Sequence, residues 1–206
     1  MFLIMKFNNF FSVLFALSLT VACSDDDDNG NGNNGEESAI IHMAEDINAD
    51  GKTAFYSVTG NKLISDSSST DWQIAFNGTN IFLNGGSSGT GNVEGQVVSA
   101  IFEELNEAPT NNFLKDTESM PAISAAAGNE WYTYNDANAS PPFAILMNPG
   151  RVIVLRIDGS LYAKIELLSY YKGNPDINSE DFINLQTRPE ARYFTFRYAV
   201  SETGLF

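Results

Sequence analysis

The sequence predicts an all-β domain with minor helix, built from antiparallel strands. Residues 151–158 and 161–171 alternate apolar and polar side chains and are joined through Asp158-Gly159, a typical hairpin signal. Residues 190–201 form another alternating strand, and its apolar face carries Phe194, Phe196, Tyr198 and Val200. The connections between these segments are rich in Gly, Pro and Asn, as antiparallel β domains usually are.

The N-terminus resembles a bacterial export leader. Lys6 precedes the apolar run 10–19, which is shorter than the roughly 20 residues that span a bilayer. Residues 1–22 are therefore predicted to be a signal peptide. Thr20-Val21-Ala22-Cys23 resembles a lipobox, with Thr where Leu is usual, and predicts lipidation of Cys23. The other interpretation is that Cys23 is an incidental residue of a cleaved leader.

A polar segment follows the cysteine. Residues 23–37 contain Ser24, four consecutive aspartates and an Asn/Gly run, and this composition is typical of a disordered tether. One interpretation is a spacer. Another is a surface address, since Cys-Ser followed by acids resembles the export signal of surface lipoproteins in one group of Gram-negative bacteria. We expect an outer-membrane protein, anchored only through lipid and displayed on the cell surface, with one domain over residues 38–206.

The first half of that domain shows mainly strand signals. Residues 39–49 have a weak apolar pattern that suits a short helix or an edge strand. Alternation begins at Thr53, and a second strand places Trp72, Ile74 and Phe76 on one face. A third strand, 80–83, leads into the glycine-rich segment 84–91. No Gly-Lys-Ser/Thr follows it, so a turning or flexible connection is favoured over a phosphate cradle.

The middle of the chain is less regular. Val97, Ile101 and Leu105 have helical spacing and predict a helix of two or three turns. Residues 115–150 form a long loop region that contains Trp131-Tyr132-Thr133-Tyr134, and loops of this length are often functional. Residues 173–185 predict a polar loop or a short helix.

Charge and residue counts limit the function. The net charge of −15, with 11 basic residues, argues against nucleic-acid binding. The only histidine, His42, has no cysteine to activate, and a Ser/His/Asp triad would depend on that one ring. Paired carboxylates for glycoside hydrolysis stay open, although with 26 acidic residues any chosen pair is uninformative. We therefore expect a protein that is not an enzyme.

An ordered set of motifs resembles the HmuY-type family of haem-binding surface lipoproteins. The motifs cover roughly residues 50–200 and are Asp71-Trp72-Gln73-Ile74-Ala75-Phe76, Asn84-Gly85-Gly86-Ser87-Ser88-Gly89, Trp131-Tyr132-Thr133-Tyr134, Arg156 with Tyr162-Ala163-Lys164 and Ser169-Tyr170-Tyr171, and Tyr193-Phe194-Thr195-Phe196-Arg197-Tyr198. The resemblance implies a hand-like antiparallel β fold that grips haem between extended hairpins and loops. It also implies a haemophore, which takes haem from host haemoproteins and passes it to a TonB-dependent outer-membrane receptor.

The resemblance implies methionine ligands in this chain. The best-known members hold haem iron through two histidines, whereas other members place methionines at the ligand positions. Met120 and Met147 flank Trp131 here, where the two ligand loops of the family lie, and thioether sulfur is an axial haem ligand in other proteins. Met147, which follows Ile145 and Leu146, is also open to a core-packing interpretation.

A haem face also needs apolar and aromatic neighbours. The candidates nearest the two methionines in sequence are Ile123, Trp131, Tyr134, Phe143 and Ile145. The bases nearby are Lys115 and Arg151, so the haem propionates are expected to face solvent. The alternative function is a surface glycan-binding or adhesion module of the same fold, with exposed Trp131, Tyr132 and Tyr134 stacking on sugars.

Overall fold

The computed structural model describes residues 39–125 and 130–206 of the chain. These residues contain eleven strands and one short helix. The elements are β1 Ile41–Asn48, β2 Ala54–Ser57, β3 Lys62–Ile64, β4 Ile74–Asn77, β5 Asn80–Leu83, β6 Val93–Ser99, β7 Tyr132–Tyr134, β8 Ile145–Met147, β9 Arg151–Ile157, β10 Leu161–Tyr171, α1 Glu180–Ile183 and β11 Ala191–Ser201. The predicted leader (1–22), the predicted tether (23–37) and Cys23 lie outside the described residues. No helix within the described ranges is long and apolar enough to cross a membrane.

The larger sheet has five antiparallel strands in the order β1-β11-β10-β9-β6. The hairpin between β9 and β10 turns at Asp158 and Gly159, whose φ angles are 51° and 80°. Positive φ at both turn residues favours Asp-Gly, so the hairpin signal in the sequence has a direct backbone cause. The predicted antiparallel β architecture is confirmed.

A smaller sheet, in the order β3-β2-β4-β5, packs on the inner face of the larger one. Aromatic contacts join the two layers: Phe76 stacks on Phe194 at 4.3 Å between ring centroids, and Tyr56 meets Phe196 edge-on at 5.2 Å. Phe194, Phe196 and Tyr198 are fully buried, as the alternation of β11 predicts. The core therefore lies between the two sheets.

The outer face of the larger sheet is also covered. Phe102 and Ala108, from the segment after β6, pack on Val152, Val154 and Ala199 and form a second buried cluster. Lys164 points into this cluster, where its ammonium donates to the carbonyl oxygens of Phe102 at 2.8 Å and Leu105 at 3.0 Å. These bonds replace the water that burial removes.

The predicted helix from Val97 to Leu105 is wrong. Residues 93–99 are strand β6, paired with β9, and 101–105 form a single turn. Because both faces of the larger sheet are covered, Val97 packs on the main core and Leu105 on the outer cluster. Their helical spacing therefore does not mark one face of a helix, because the two residues are buried in different clusters.

The other open predictions are decided by pairing and packing. Residues 39–49 contain β1, an edge strand, and 173–185 contain α1. The glycine-rich segment is a tight turn that requires glycine. A Cβ on Gly86 (φ +64°) would lie 1.9 Å from the Asp116 carbonyl oxygen. A Cβ on Gly89 would lie 2.1 Å from Asn84 Oδ1.

Candidate functional site

The short hairpin β7–β8, inside the region predicted as a long loop, carries most of the predicted site residues. It sits at the end of the larger sheet where β10 ends and β11 begins. The Trp131 ring lies 6.2 Å from Phe194, and the backbone N–H of Ile145 donates to the Tyr171 hydroxyl at 3.0 Å. The hairpin is thus attached to the core on one side and to β10 on the other.

Asn148 closes the open end of this hairpin. Its backbone N–H donates to the Trp131 carbonyl at 3.0 Å, and its side-chain amide donates to the Glu130 carbonyl at 2.9 Å. Its Oδ1 accepts from the Thr133 hydroxyl at 2.7 Å. These three hydrogen bonds, one through the backbone of Asn148 and two through its side chain, fix the residue that directly follows Met147.

The register of the hairpin places Met147 opposite Tyr132, and Ile145 opposite Tyr134. Met147 is half-buried and packs against the main core, as Ile145 does. The core-packing interpretation of Met147 is therefore partly correct. A half-buried side chain still presents one side to a ligand.

Met120 lies in a separate turn whose backbone is held firmly. The buried carboxylate of Asp116 accepts from the N–H groups of Leu83 at 2.9 Å and Ala122 at 2.8 Å. Thr117 and Met120 close the turn through reciprocal backbone bonds. Met120 is 52% exposed at this turn, so its side chain is accessible while its backbone is fixed.

The five predicted pocket residues divide into two groups. Ile123 and Trp131 are buried members of the main core, 1% and 2% exposed. Tyr134 and Phe143 are 58% and 48% exposed, and Ile145 is half-buried. The structure brings Trp131, Tyr134 and Ile145 together in one hairpin, with Phe143 in its connecting loop. Surface contact with a ligand is therefore available to Tyr134, Phe143 and Ile145, whereas Ile123 and Trp131 belong to the core.

The expectation that Trp131 is exposed is wrong, and the alternative function loses its central aromatic. The ring packs against Tyr132 at 4.5 Å and faces Phe194 in the core. Its indole N–H is buried and finds no acceptor among the described residues. A side chain in this position cannot stack on a sugar at the surface.

Two residues near this end were not found from the sequence. Tyr170 is buried against Phe194, and this burial raises its pKa, while a hydrogen bond from Arg192 opposes the rise. Arg192 also pairs with Asp50 at 2.6 Å. By contrast, Lys115 donates to Asn92 Oδ1 at 2.7 Å, near the opposite end of the sheet. Arg188 also reaches the hairpin, because its guanidinium donates to the Pro142 carbonyl in the connecting loop at 2.8 Å. Arg192 is brought beside Tyr170 by the pairing of β10 with β11, which no local pattern shows.

No group of three or more His, Cys, Asp or Glu side chains within residues 39–125 and 130–206 could hold a metal ion. The candidate site offers thioethers as metal ligands, together with aromatic and aliphatic side chains as contact surface. This donor set suits a flat, largely apolar ligand with a soft-ligated metal at its centre.

Comparison with known proteins identifies the family. The family model for the HmuY protein matches residues 49–182. The chain belongs to the HmuY family. Proteins of this family bind haem and are not enzymes, so the expectation that the chain is not an enzyme is confirmed. A search of curated proteins finds no match.

Several solved structures are similar to this chain in shape. Apo PinO from Porphyromonas gingivitis is 12% identical, with a TM-score of 0.50 over 81% of this chain and 100% of that one. The apo HmuY analogue of Tannerella forsythia is 13% identical, with a TM-score of 0.47 over 79% and 95%. A Bacteroides vulgatus protein named as HmuY-like and heme-binding is 13% identical, with a TM-score of 0.46 over 81% and 93%. The likeness to PinO shows a shared HmuY-like fold.

Proposed function

We propose that this HmuY-family chain binds haem between its β7–β8 hairpin and the turn that carries Met120. As a lipid-anchored surface protein it would capture haem from host haemoproteins and pass it to a TonB-dependent outer-membrane receptor. Family membership supports haem as the ligand. The exposed apolar residues of these two segments support the place.

The observation that carries the proposal is the conformation of Phe143. It has φ +53° and is 48% exposed. A bulky residue with positive φ is a backbone outlier, and such residues cluster at ligand sites, where the surrounding structure holds them. An aromatic side chain that is half exposed gains only part of its burial energy in the free protein, which is consistent with contact to a ligand.

The composition of the two segments fits a haem face. Tyr134 and Phe143, in the hairpin and its connecting loop, are each about half exposed or more, and so is Met120 in its own turn. Exposed apolar side chains that are grouped on a soluble protein often mark a binding site. The half-buried Ile145 and Met147 lie on β8 of the same hairpin as Tyr134. Bound haem would supply an iron centre, and the thioethers of Met120 and Met147 would hold it from the two segments.

Haem titration of the purified full chain, followed by difference spectroscopy, tests the proposal. Met120→Ala and Met147→Ala should each weaken binding, and the double variant should lose the low-spin bands. Met43→Ala is the matched control, because Met43 is 48% exposed on edge strand β1, outside the proposed site. A double variant with the wild-type spectrum would contradict the ligand assignment, and absence of any haem spectrum in the wild type would contradict the function.

A further inference from the structure

A polar groove of about 660 Å³ lies at the end of the domain opposite the β7–β8 hairpin. It is lined by the β2–β3 turn, residues 70–73, residues 90–93 and the β9–β10 turn. In the larger sheet, Leu161 pairs with Ile157 at this end, whereas Tyr171 pairs with Ala191 at the other. The groove is therefore separate from the β7–β8 hairpin, and no function described so far uses it.

The walls of the groove are held by two buried amide side chains. Gln73 Oε1 accepts from the Val58 N–H at 3.0 Å, and its Nε2 donates to the Asp71 carbonyl at 2.9 Å. Asn84 donates to the Trp72 carbonyl at 2.9 Å and accepts from the Gly91 N–H at 2.9 Å. A ligand would thus meet walls that are already ordered, which lowers the entropic cost of binding.

The polar side chains at the mouth of the groove are exposed and unpaired. Lys62, Thr70, Asp71 and Asp158 line it, and in the described part of the chain none of these side chains makes a hydrogen bond or ion pair. The backbone of Asp158 is fixed by its N–H bond to the Asn92 carbonyl at 3.0 Å. The Lys62 ammonium, the Thr70 hydroxyl and the carboxylates of Asp71 and Asp158 therefore line one groove without hydrogen-bond partners among the described residues.

Three aliphatic residues also line the groove. Val93 and Ile157 are 2% and 5% exposed, and Leu161 beside them is half-buried. Only Leu161 therefore offers appreciable apolar surface, and a ligand in this groove would meet this one aliphatic side chain together with the polar groups. This arrangement suits a molecule with an apolar face and a polar edge.

The chemistry of the lining excludes several ligand classes. Two carboxylates against one ammonium disfavour a polyanion. For a divalent cation the nearby ammonium of Lys62 is unfavourable, and the described residues hold no group of three or more His, Cys, Asp or Glu that could bind a metal ion. Strand addition by a peptide needs unpaired backbone, but Ser57 pairs with Lys62 and Val93 with Ile157.

We infer that this groove binds a saccharide of one to three rings with vicinal hydroxyls. Adjacent hydroxyls would donate to Asp71 and Asp158 and accept from Lys62, while the C–H face of a ring packs on Leu161. Both kinds of group occur together on a sugar ring, and the groove offers a partner for each. Because the apolar contact is one leucine and not an aromatic ring, binding of a single sugar should be weak, and a branched or extended glycan should bind better.

Saturation-transfer NMR and calorimetric titration of the purified full chain test the inference. The probes are glucose, galactose, mannose, N-acetylglucosamine and the di- and trisaccharides built from them. At least one should bind the wild type, and Asp71→Ala and Asp158→Gly should each weaken it about tenfold, the loss expected for one charge-assisted hydrogen bond. Glycine suits position 158 because the backbone there has φ 51°. Asp181→Ala, an exposed aspartate on α1, should bind like the wild type.

Two results would overturn the inference. One is the absence of binding by every probe to a wild-type protein whose thermal unfolding is cooperative. The other is binding that Asp71→Ala and Asp158→Gly leave unchanged, which would place the saccharide elsewhere. The double variant Met120→Ala/Met147→Ala should keep saccharide binding, so failure of the haem proposal and failure of this one are distinguished. Displacement of the saccharide by an extended peptide would assign the groove to a peptide and contradict the inference.

Discussion

The phenolic oxygen of Tyr171 accepts a hydrogen bond from the backbone N–H of Ile145 at 3.0 Å. This bond ties the end of the longest hairpin, β9–β10, to the short hairpin that carries Met147. Tyr171 is buried, and it is itself held edge-on against Phe182 of α1 at 4.7 Å. This side chain is therefore one of the contacts that fix β8 relative to the larger sheet.

Removing this acceptor should loosen the hairpin. Tyr171→Phe should lower the free energy of unfolding by about 1 kcal/mol, since a partly buried N–H loses its partner. It should also speed amide hydrogen exchange at Ile145 and weaken haem binding. Tyr193→Phe is the matched control, because the Tyr193 hydroxyl accepts from Asn48 at 3.2 Å on edge strand β1. Equal exchange at Ile145 in both variants would contradict the role given to Tyr171.

Thioether ligation predicts an unusual dependence on pH and redox state. Histidine ligands take up protons near about pH 6.5, whereas thioethers have no proton to gain. Haem held by Met120 and Met147 should therefore stay bound, with little spectral change, between about pH 5 and 8. Soft sulfur is better matched to ferrous than to ferric iron, so the ferrous complex should be tighter and low-spin. Loss of the ferrous low-spin spectrum on acidification within this pH range would contradict ligation by two thioethers.

The core between the sheets should depend strongly on β11. Phe196 is fully buried and contacts Tyr56, Phe76 and Tyr198. Phe196→Ala should lower the free energy of unfolding by about 3–5 kcal/mol, because it leaves a cavity. Phe143→Ala, at a position 48% exposed, should change it by less than about 1 kcal/mol. Chemical denaturation of the two variants gives the comparison, and equal losses would contradict the assigned core.

Buried Lys164 predicts an alkaline gain in stability. Burial lowers the pKa of Lys164 below its usual 10.5, with Arg197 adding to the shift and Glu103 opposing it. Between the lowered pKa and 10.5 the unfolded chain binds more protons than the folded one, so stability rises with pH in that window. Below the window both states are protonated, and the cost of burying the charge is present in full.

The test for Lys164 is a comparison with Lys164→Met. The free energy of unfolding of the wild type, relative to that of the variant, should increase as the pH rises from neutral toward 10.5. Tyr56 and Tyr198, whose pKa values burial raises, titrate in both proteins, so their contribution cancels. A difference that stays constant with pH would show that Lys164 titrates normally.

The predicted location of the protein, lipid-anchored at the cell surface, can be tested in intact cells. Cys23→Ala should release the chain from the membrane fraction, because no other residue is predicted to carry lipid. Replacing Asp25–Asp28 with alanine should keep lipidation but remove the domain from the cell surface. Protease treatment of intact cells measures exposure, and equal digestion of variant and wild type would leave the aspartates as a spacer.

Local patterns in the sequence were sufficient for the main strands. The β9–β10 hairpin was predicted from alternation plus Asp158-Gly159, and the turn needs positive φ at both residues. The buried face of β11 was predicted from period two alone. These features are local, because each depends on residues within a few positions of one another.

The errors in prediction occurred where burial depends on distant parts of the chain. Val97 and Leu105 have helical spacing because the larger sheet is covered on both faces. Gly95 was the available signal for a strand, since a Cβ there would lie 2.7 Å from Leu83 Cδ1 and glycine within a strand often marks a close approach. Trp131 is buried by Phe194, which lies more than sixty positions further along the chain.

The sequence by itself determined the antiparallel β class, the residues that alternate into the core and the motifs of the HmuY family. Tertiary structure alone decided which aromatics reach the surface, that Arg192 lies near Tyr170, and that Lys62, Asp71 and Asp158 line one groove. The physical reason is the range of the interactions. Side-chain periodicity follows from the geometry of a single strand, whereas exposure and the grouping of charges follow from how separate strands pair and pack.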